Sequence, residues 1–136
     1  MYSLNEIEEK IALAKAAKLS GAELLLDRER ACRVCNGIGA DWMPDWLRAL
    51  ISKLFPTLVL AADIHDIRYE LGGDEADRHA ADVEMLDNGL KLADRHYRRL
   101  DARRYIVQFI MLQFYKTLRR CGAFAFKFKH KETENA

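Results

Sequence analysis

The sequence predicts an all-α fold, on three observations. It contains only two prolines, Pro44 and Pro56, and few clusters of β-branched residues. Its apolar residues instead recur at helical spacing over several long segments. Capping residues and glycines separate these segments, as expected for consecutive helices. At 136 residues, the chain fits one domain with one hydrophobic core, which we expect over residues 1–136.

Two helices are predicted at the N-terminus. Ser3-Leu4-Asn5-Glu6 has the form of a capping box, so the first helix runs from this segment to about Leu19. Ser20-Gly21-Ala22-Glu23 has the same form and predicts a shorter helix toward Arg33.

A shaped loop and a short helix come next. Residues 35–40 contain Gly37 and Gly39 at alternate positions, where glycine permits positive φ angles and close backbone approach. Pro44 suits the first turn of a helix over residues 45–55.

Two helices around Gly72-Gly73 are the most informative part of the chain. The first is predicted over residues 57–71, and the second begins after Asp74 and ends near Asn88-Gly89. So short a connection makes them antiparallel neighbours. Residues equidistant from the turn then face each other, which places His65 and Asp82 at the same height.

His65 carries the candidate chemistry of this helix pair. A carboxylate at Asp82 would fix the imidazole tautomer and leave the other ring nitrogen to take a proton from water. Tyr69 follows His65 by one turn on the same face, within reach of Asp82. Asp66 points about 100° away and would serve a neighbouring site. The carbonyls of the 35–40 loop are the oxygen ligands that calcium prefers.

The last third of the chain is predicted to contain a long helix over residues 101–120. Apolar residues cover most of its circumference, which is typical of a central core helix. Residues 124–129 alternate with period two, as in a short strand or an extended, membrane-touching tail. Residues 122–136 form a basic tail.

Composition limits the classes of function. A net charge of +1 gives no global field that would favour nucleic acid. No apolar run approaches the roughly 20 residues that span a bilayer, and no secretory signal is visible. We therefore expect cytoplasmic synthesis. The three cysteines make no disulfide framework, and Cys32-x-x-Cys35 lacks the second pair or the nearby histidine of a zinc site.

The segment Ala61-Ala62-Asp63-Ile64-His65-Asp66-Ile67-Arg68-Tyr69 resembles the His-Asp-x-x-Tyr active-site helix of phospholipases A2, above all that of the parvovirus capsid phospholipase domain. Asn36-Gly37-Ile38-Gly39 matches the calcium loop of that family. Ala81-Asp82-Val83-Glu84-Met85-Leu86 resembles its second active-site helix. The resemblance covers about residues 35–90. The chain departs from the secreted enzymes by lacking their disulfides and by having Ala40 and Asp41 after the second glycine.

The resemblance implies a phospholipase A2-like fold and calcium-dependent hydrolysis of the sn-2 ester of glycerophospholipids at a membrane surface. His65 would be the general base, oriented by Asp82 with support from Tyr69. The backbone N–H of Gly37 would assist the developing oxyanion. Calcium is the implied cofactor, and its ligands would be the backbone carbonyls of Cys35, Gly37 and Gly39 and the carboxylate of Asp66.

Large apolar side chains follow the loop and are candidates for a lipid-facing rim, since Trp favours the water–bilayer boundary: Trp42, Met43, Trp46 and Leu47. The likeness to a viral entry domain leaves a phage or virus-like, virion-associated or released protein open as an analogy.

Two alternatives remain at this point. One is a phospholipase-like lipid- or protein-binding module without turnover, which the altered loop favours. The other is a metal-dependent phosphohydrolase of the HD type, which is also helical and contains a His-Asp doublet. That arrangement needs an additional histidine upstream, and His65 is the first histidine of this chain.

Overall fold

The computed structural model describes residues 2–35, 46, 49, 53 and 56–129. Within its two long ranges there are five α-helices and no β-strand, which confirms the all-α class. The helices are α1 (Leu4–Ala16), α2 (Arg28–Val34), α3 (Pro56–Leu71), α4 (Glu75–His96) and α5 (Ala102–Cys121), with 3₁₀ turns at Ala22–Leu26 and Gly122–Phe124. No helix in these ranges combines the length and the apolar character needed to cross a bilayer.

The capping box at the start of α1 is present. The Glu6 N–H donates to Ser3 Oγ at 3.3 Å, and the Ser3 N–H donates to the Glu6 carboxylate at 2.7 Å. Helix α1 ends at Ala16, earlier than the predicted Leu19, because Lys18 adopts a φ of 54° that lies outside the helical region.

The second predicted capping box is wrong, because Ser20 is used for a tertiary contact. Its backbone N–H and C=O both bind the buried Asn88 side chain of α4, at 3.0 and 2.8 Å. A 3₁₀ turn follows Gly21, and α2 starts only after Asp27, whose side chain accepts from the Arg30 N–H at 3.2 Å.

The predicted helix pair is present as α3 and α4, which pack against each other. Gly72 and Gly73 have φ values of 66° and 143°, so the turn depends on glycine at these positions. Asp74 caps α4 and accepts from the Asp77 N–H at 2.9 Å. Helix α4 continues to His96, past its predicted end, and Gly89 lies inside it, where a Cβ would overlap Met111 of α5.

The interpretation of α5 as a central core helix is wrong. The hydrophobic core lies mainly between α1, α2, α3 and one side of α4, around Ile7, Leu25, Leu58, Ile64 and Ile67. Helix α5 packs on α4 and buries Val107 and Met111. Several of its other apolar side chains are not buried: Tyr105, Ile106, Phe109 and Leu112 are exposed.

The segment after α5 returns to the turn between α3 and α4. The Gly73 N–H donates to the Lys127 carbonyl at 3.1 Å, and the Lys129 N–H donates to the Gly73 carbonyl at 2.8 Å. These contacts make a single parallel bridge instead of a strand. The predicted alternation is wrong, because Phe124, Phe126 and Phe128 would share one face of an extended strand, and of the three only Phe126 is buried.

Candidate active site

His65 on α3 and Asp82 on α4 meet inside the protein, as the symmetry of the hairpin predicts. His65 Nε2 lies 2.8 Å from Asp82 Oδ1, and the Asp82 side chain is fully buried. An ionised carboxylate can only accept hydrogen bonds, so Nε2 must carry the proton and donate. The Nδ1 atom of a neutral His65 then has a free lone pair with which to accept a proton.

Asp82 binds more donors than the sequence indicates. Tyr69 Oη donates to Oδ1 at 2.6 Å, as expected, and Arg119 Nη1 donates to Oδ2 at 2.7 Å. Arg78 Nη1 lies 3.7 Å from the same Oδ2. Burial alone would raise the pKa of Asp82, but the hydrogen bonds from His65, Tyr69 and Arg119 outweigh it and lower the pKa. The carboxylate is therefore ionised at neutral pH.

Glu75 at the start of α4 holds both arginines in place. Its carboxylate accepts from Arg78 Nε and Nη2 at 2.9 and 2.8 Å, and from Arg119 Nη2 at 2.7 Å. These hydrogen bonds, that of Arg78 first, lower the pKa of Glu75 to about 2. Arg78 Nη1 also donates to the Leu118 carbonyl at 2.9 Å, which caps the last turn of α5. The end of α5 is thus tied to α4 beside Asp82.

Tyr69 is enclosed by three different parts of the chain. Its ring centroid lies 4.1 Å from that of His65 and 5.2 Å from that of Phe126, in an edge contact. A Cβ at Gly122 would lie 2.7 Å from Tyr69 Oη, so glycine leaves the space that the hydroxyl uses. Burial and the hydrogen bond to Asp82 raise the pKa of Tyr69, and the hydroxyl stays protonated as a donor.

Asp63 anchors α1 and the end of α2 on a second side of α3. Tyr2 Oη donates to Asp63 Oδ1 at 3.2 Å, and Lys10 Nζ lies 2.7 Å from Oδ2. The Cys35 thiol donates to the Asp63 backbone carbonyl at 3.4 Å. Sequence reasoning assigned Asp63 no role. Asp63 is fully buried, and its position inside an apolar helical segment is the sequence signal that would have indicated a buried ion pair.

Asp66 lies on this second side, toward the residue where the glycine loop begins. Burial raises the pKa of the Cys35 thiol, and the negative charges of Asp63 and Asp66 raise it further. The thiol is therefore neutral, and the oxygen that Cys35 offers a cation is its backbone carbonyl. His65 and Asp66 are adjacent in sequence but serve different sides of α3.

Several predicted site residues lie outside the described residues: Gly37, Gly39, Trp42, Met43 and Leu47. Trp46 is described and is helical and exposed, as are Ala49 and Lys53 of the predicted 45–55 helix. In the described ranges no three His, Cys, Asp or Glu side chains are grouped to hold a metal ion.

Arg78 and Arg119 are the site residues that sequence reasoning missed. Arg78 precedes Asp82 by four residues on α4, a spacing that predicts contact between an arginine and an aspartate. Arg119 is 37 residues away on another helix, and no local pattern indicates its contact. The site thus joins His65, Tyr69, Asp82 and Arg119 from three helices.

No known protein family, curated protein or solved structure matches this chain.

Proposed function

We propose that this protein is a calcium-dependent hydrolase of the phospholipase A2 type, which cleaves the sn-2 ester of glycerophospholipids. The observation that carries the proposal is the His65–Asp82 contact, in which Asp82 fixes the tautomer through Nε2 and leaves Nδ1 as the base. The Tyr69 and Arg119 hydrogen bonds keep the carboxylate ionised and in position.

The protein residues supply the proton transfers of such a hydrolysis. His65 Nδ1 takes a proton from a water molecule as its oxygen attacks the ester carbonyl carbon. Asp82 stabilises the imidazolium that forms. His65 then returns the proton to the departing alkoxide, which yields a fatty acid and a lysophospholipid. The N–H of Gly37 is proposed to donate to the developing oxyanion.

Calcium is proposed as the cofactor because the chemistry of the available donors suits a hard cation. Asp66 supplies a carboxylate on the side of α3 that faces Cys35, and the Cys35 thiol is neutral. The proposed ligands are the Asp66 carboxylate and the carbonyls of Cys35, Gly37 and Gly39. When bound, calcium would polarise the ester carbonyl and neutralise phosphate charge.

The test is fatty-acid release from phospholipid vesicles by the purified protein, with calcium or with chelator. His65→Gln removes the base and Asp66→Asn removes the proposed metal carboxylate. His79→Gln and Asp87→Asn are matched controls, since both residues are exposed on α4. We expect calcium-dependent release by the wild type and both controls, and its loss in the two site variants.

Other results would replace the proposal. Calcium binding without fatty-acid release would identify a binding module that lacks turnover. Release of phosphate from a nucleotide, lost in His65→Gln, would identify a phosphohydrolase instead. Full activity in Asp66→Asn would remove Asp66 from the metal site.

A further inference from the structure

Helix α5 presents an exposed row of apolar and basic side chains that no other described part of the chain covers. Successive members are three or four residues apart, so they lie along one side of the helix. We call this row the α5 stripe: Tyr105, Phe109, Leu112, Lys116 and Arg120. All five side chains are exposed, and Phe109 is 62% exposed. Ile106 lies beside the row and is 54% exposed.

The charged side chains of α5 itself are all of one sign. Helix α5 has five basic residues and no acidic residue. Lys116 and Arg120 continue the row at its C-terminal end, and Arg98 and Arg99 are exposed just before its N-terminal end. Two acids on the adjoining segments are bound by arginine: Asp94 by Arg104 at 2.6 Å and Asp101 by Arg103 at 2.7 Å.

We propose that the α5 stripe binds the surface of anionic phospholipid bilayers. An aromatic and aliphatic centre with cations at both ends matches the boundary between acyl chains and anionic headgroups. A nucleic acid would leave Phe109 and Leu112 without apolar partners. A second copy of the chain would bring only apolar groups and further cations to the contact. The proposal adds the docking surface to the proposed function, and places it on α5 instead of the Trp46 region.

The test is cosedimentation of the full chain with vesicles of phosphatidylcholine alone or mixed with phosphatidylglycerol, in chelator so that no hydrolysis occurs. Phe109→Ser/Leu112→Ser removes the apolar centre, and Lys116→Gln/Arg120→Gln removes the charges. Leu4→Ser/Leu13→Ser and Lys15→Gln/Arg95→Gln are matched controls, since these residues are exposed on α1 and α4. Circular dichroism of each variant checks that it is folded.

We expect wild type to bind the anionic vesicles, with weaker binding at high salt. Each stripe pair should weaken binding by roughly tenfold or more, and the control pairs by less than about twofold. Equal binding by wild type and folded stripe variants would overturn the proposal. Loss of binding in Trp46→Ser, with binding retained in the stripe variants, would also overturn it. Concentration-dependent dimers that the Phe109→Ser/Leu112→Ser variant abolishes would show a protein interface instead.

Docking and catalysis fail separately in this design. Vesicle binding that depends on the α5 stripe, without calcium-dependent fatty-acid release, would retain the docking surface and overturn the proposed function. Calcium-dependent hydrolysis of a short-chain monomeric phospholipid, together with vesicle binding that the α5 stripe substitutions leave unchanged, would retain the proposed function and overturn the docking surface.

Discussion

Arg119 of α5 donates to Asp82 of α4 at 2.7 Å, on the carboxylate oxygen that His65 does not use. The two oxygens thus have separate tasks. Oδ1 accepts from His65 and Tyr69 of α3, and Oδ2 accepts from Arg119. Three helices therefore fix the position of one buried carboxylate, and each contact can be removed by a single substitution.

Arg119→Gln should lower the free energy of unfolding by about 1.5–3 kcal/mol, because a hydrogen bond to a buried charge is lost. Arg119→Lys keeps the charge and should lower the free energy of unfolding by less. Urea unfolding monitored by circular dichroism measures both. The neighbouring Arg120→Gln is the control, with an expected change within about 0.5 kcal/mol. Equal effects at positions 119 and 120 would show that the Asp82 contact contributes nothing.

Asp82→Asn should reduce kcat of the proposed hydrolysis by about two to four orders of magnitude, since a neutral amide no longer fixes the tautomer of His65 or stabilises its imidazolium. Tyr69→Phe removes one of several donors to Asp82 and should reduce kcat by no more than about tenfold. Steady-state kinetics on a short-chain phospholipid separates kcat from KM. Losses of the same size in the two variants would contradict the assignment of Asp82 as the orienting group.

The pKa of Asp82 predicts how stability depends on pH. Because it is lower in the folded than in the unfolded chain, its contribution is complete above the unfolded value of about 3.9 and is lost as pH falls through the folded value. The contribution of Glu75 to stability is likewise lost as the pH falls toward its folded pKa of about 2.

Tyr69→Phe removes a donor that lowers the pKa of Asp82, so acid unfolding should begin at higher pH than in wild type. An acid titration followed by circular dichroism measures the midpoint. Tyr115→Phe is the matched control, since the Tyr115 hydroxyl contacts His79 at 3.4 Å and not Asp82. A midpoint that moves equally in both variants would contradict the prediction.

Gly122→Ala should destabilise the protein by about 1–3 kcal/mol, because the new methyl group would overlap the Tyr69 hydroxyl. The variant Gly122→Ala/Tyr69→Phe removes that overlap. Its loss of stability should therefore be smaller than the sum of the two single losses, which a double-mutant cycle of urea unfolding measures. Additive losses would mean that the methyl group is accommodated elsewhere.

The sequence predicted those contacts of the site that local geometry determines. His65 and Asp82 lie at equal distances from a turn that two glycines make, so their meeting required no knowledge of the remaining fold. Arg119 was missed because its approach depends on how α5 packs on α4, which neither helix encodes locally. The apolar content of α5 predicted burial, but the chain has no further layer among the described residues to cover it. Ser20 was misread because Asn88, far along the chain, uses its backbone groups.

Opposite ends of the described chain meet the same short stretch of α3. Tyr2 binds Asp63, while Phe126 packs on Tyr69, and these two contact points are separated by less than two helical turns around His65. Shortening the protein at either end would therefore remove a contact that α3 makes close to His65. A search for a smaller working unit should retain both ends.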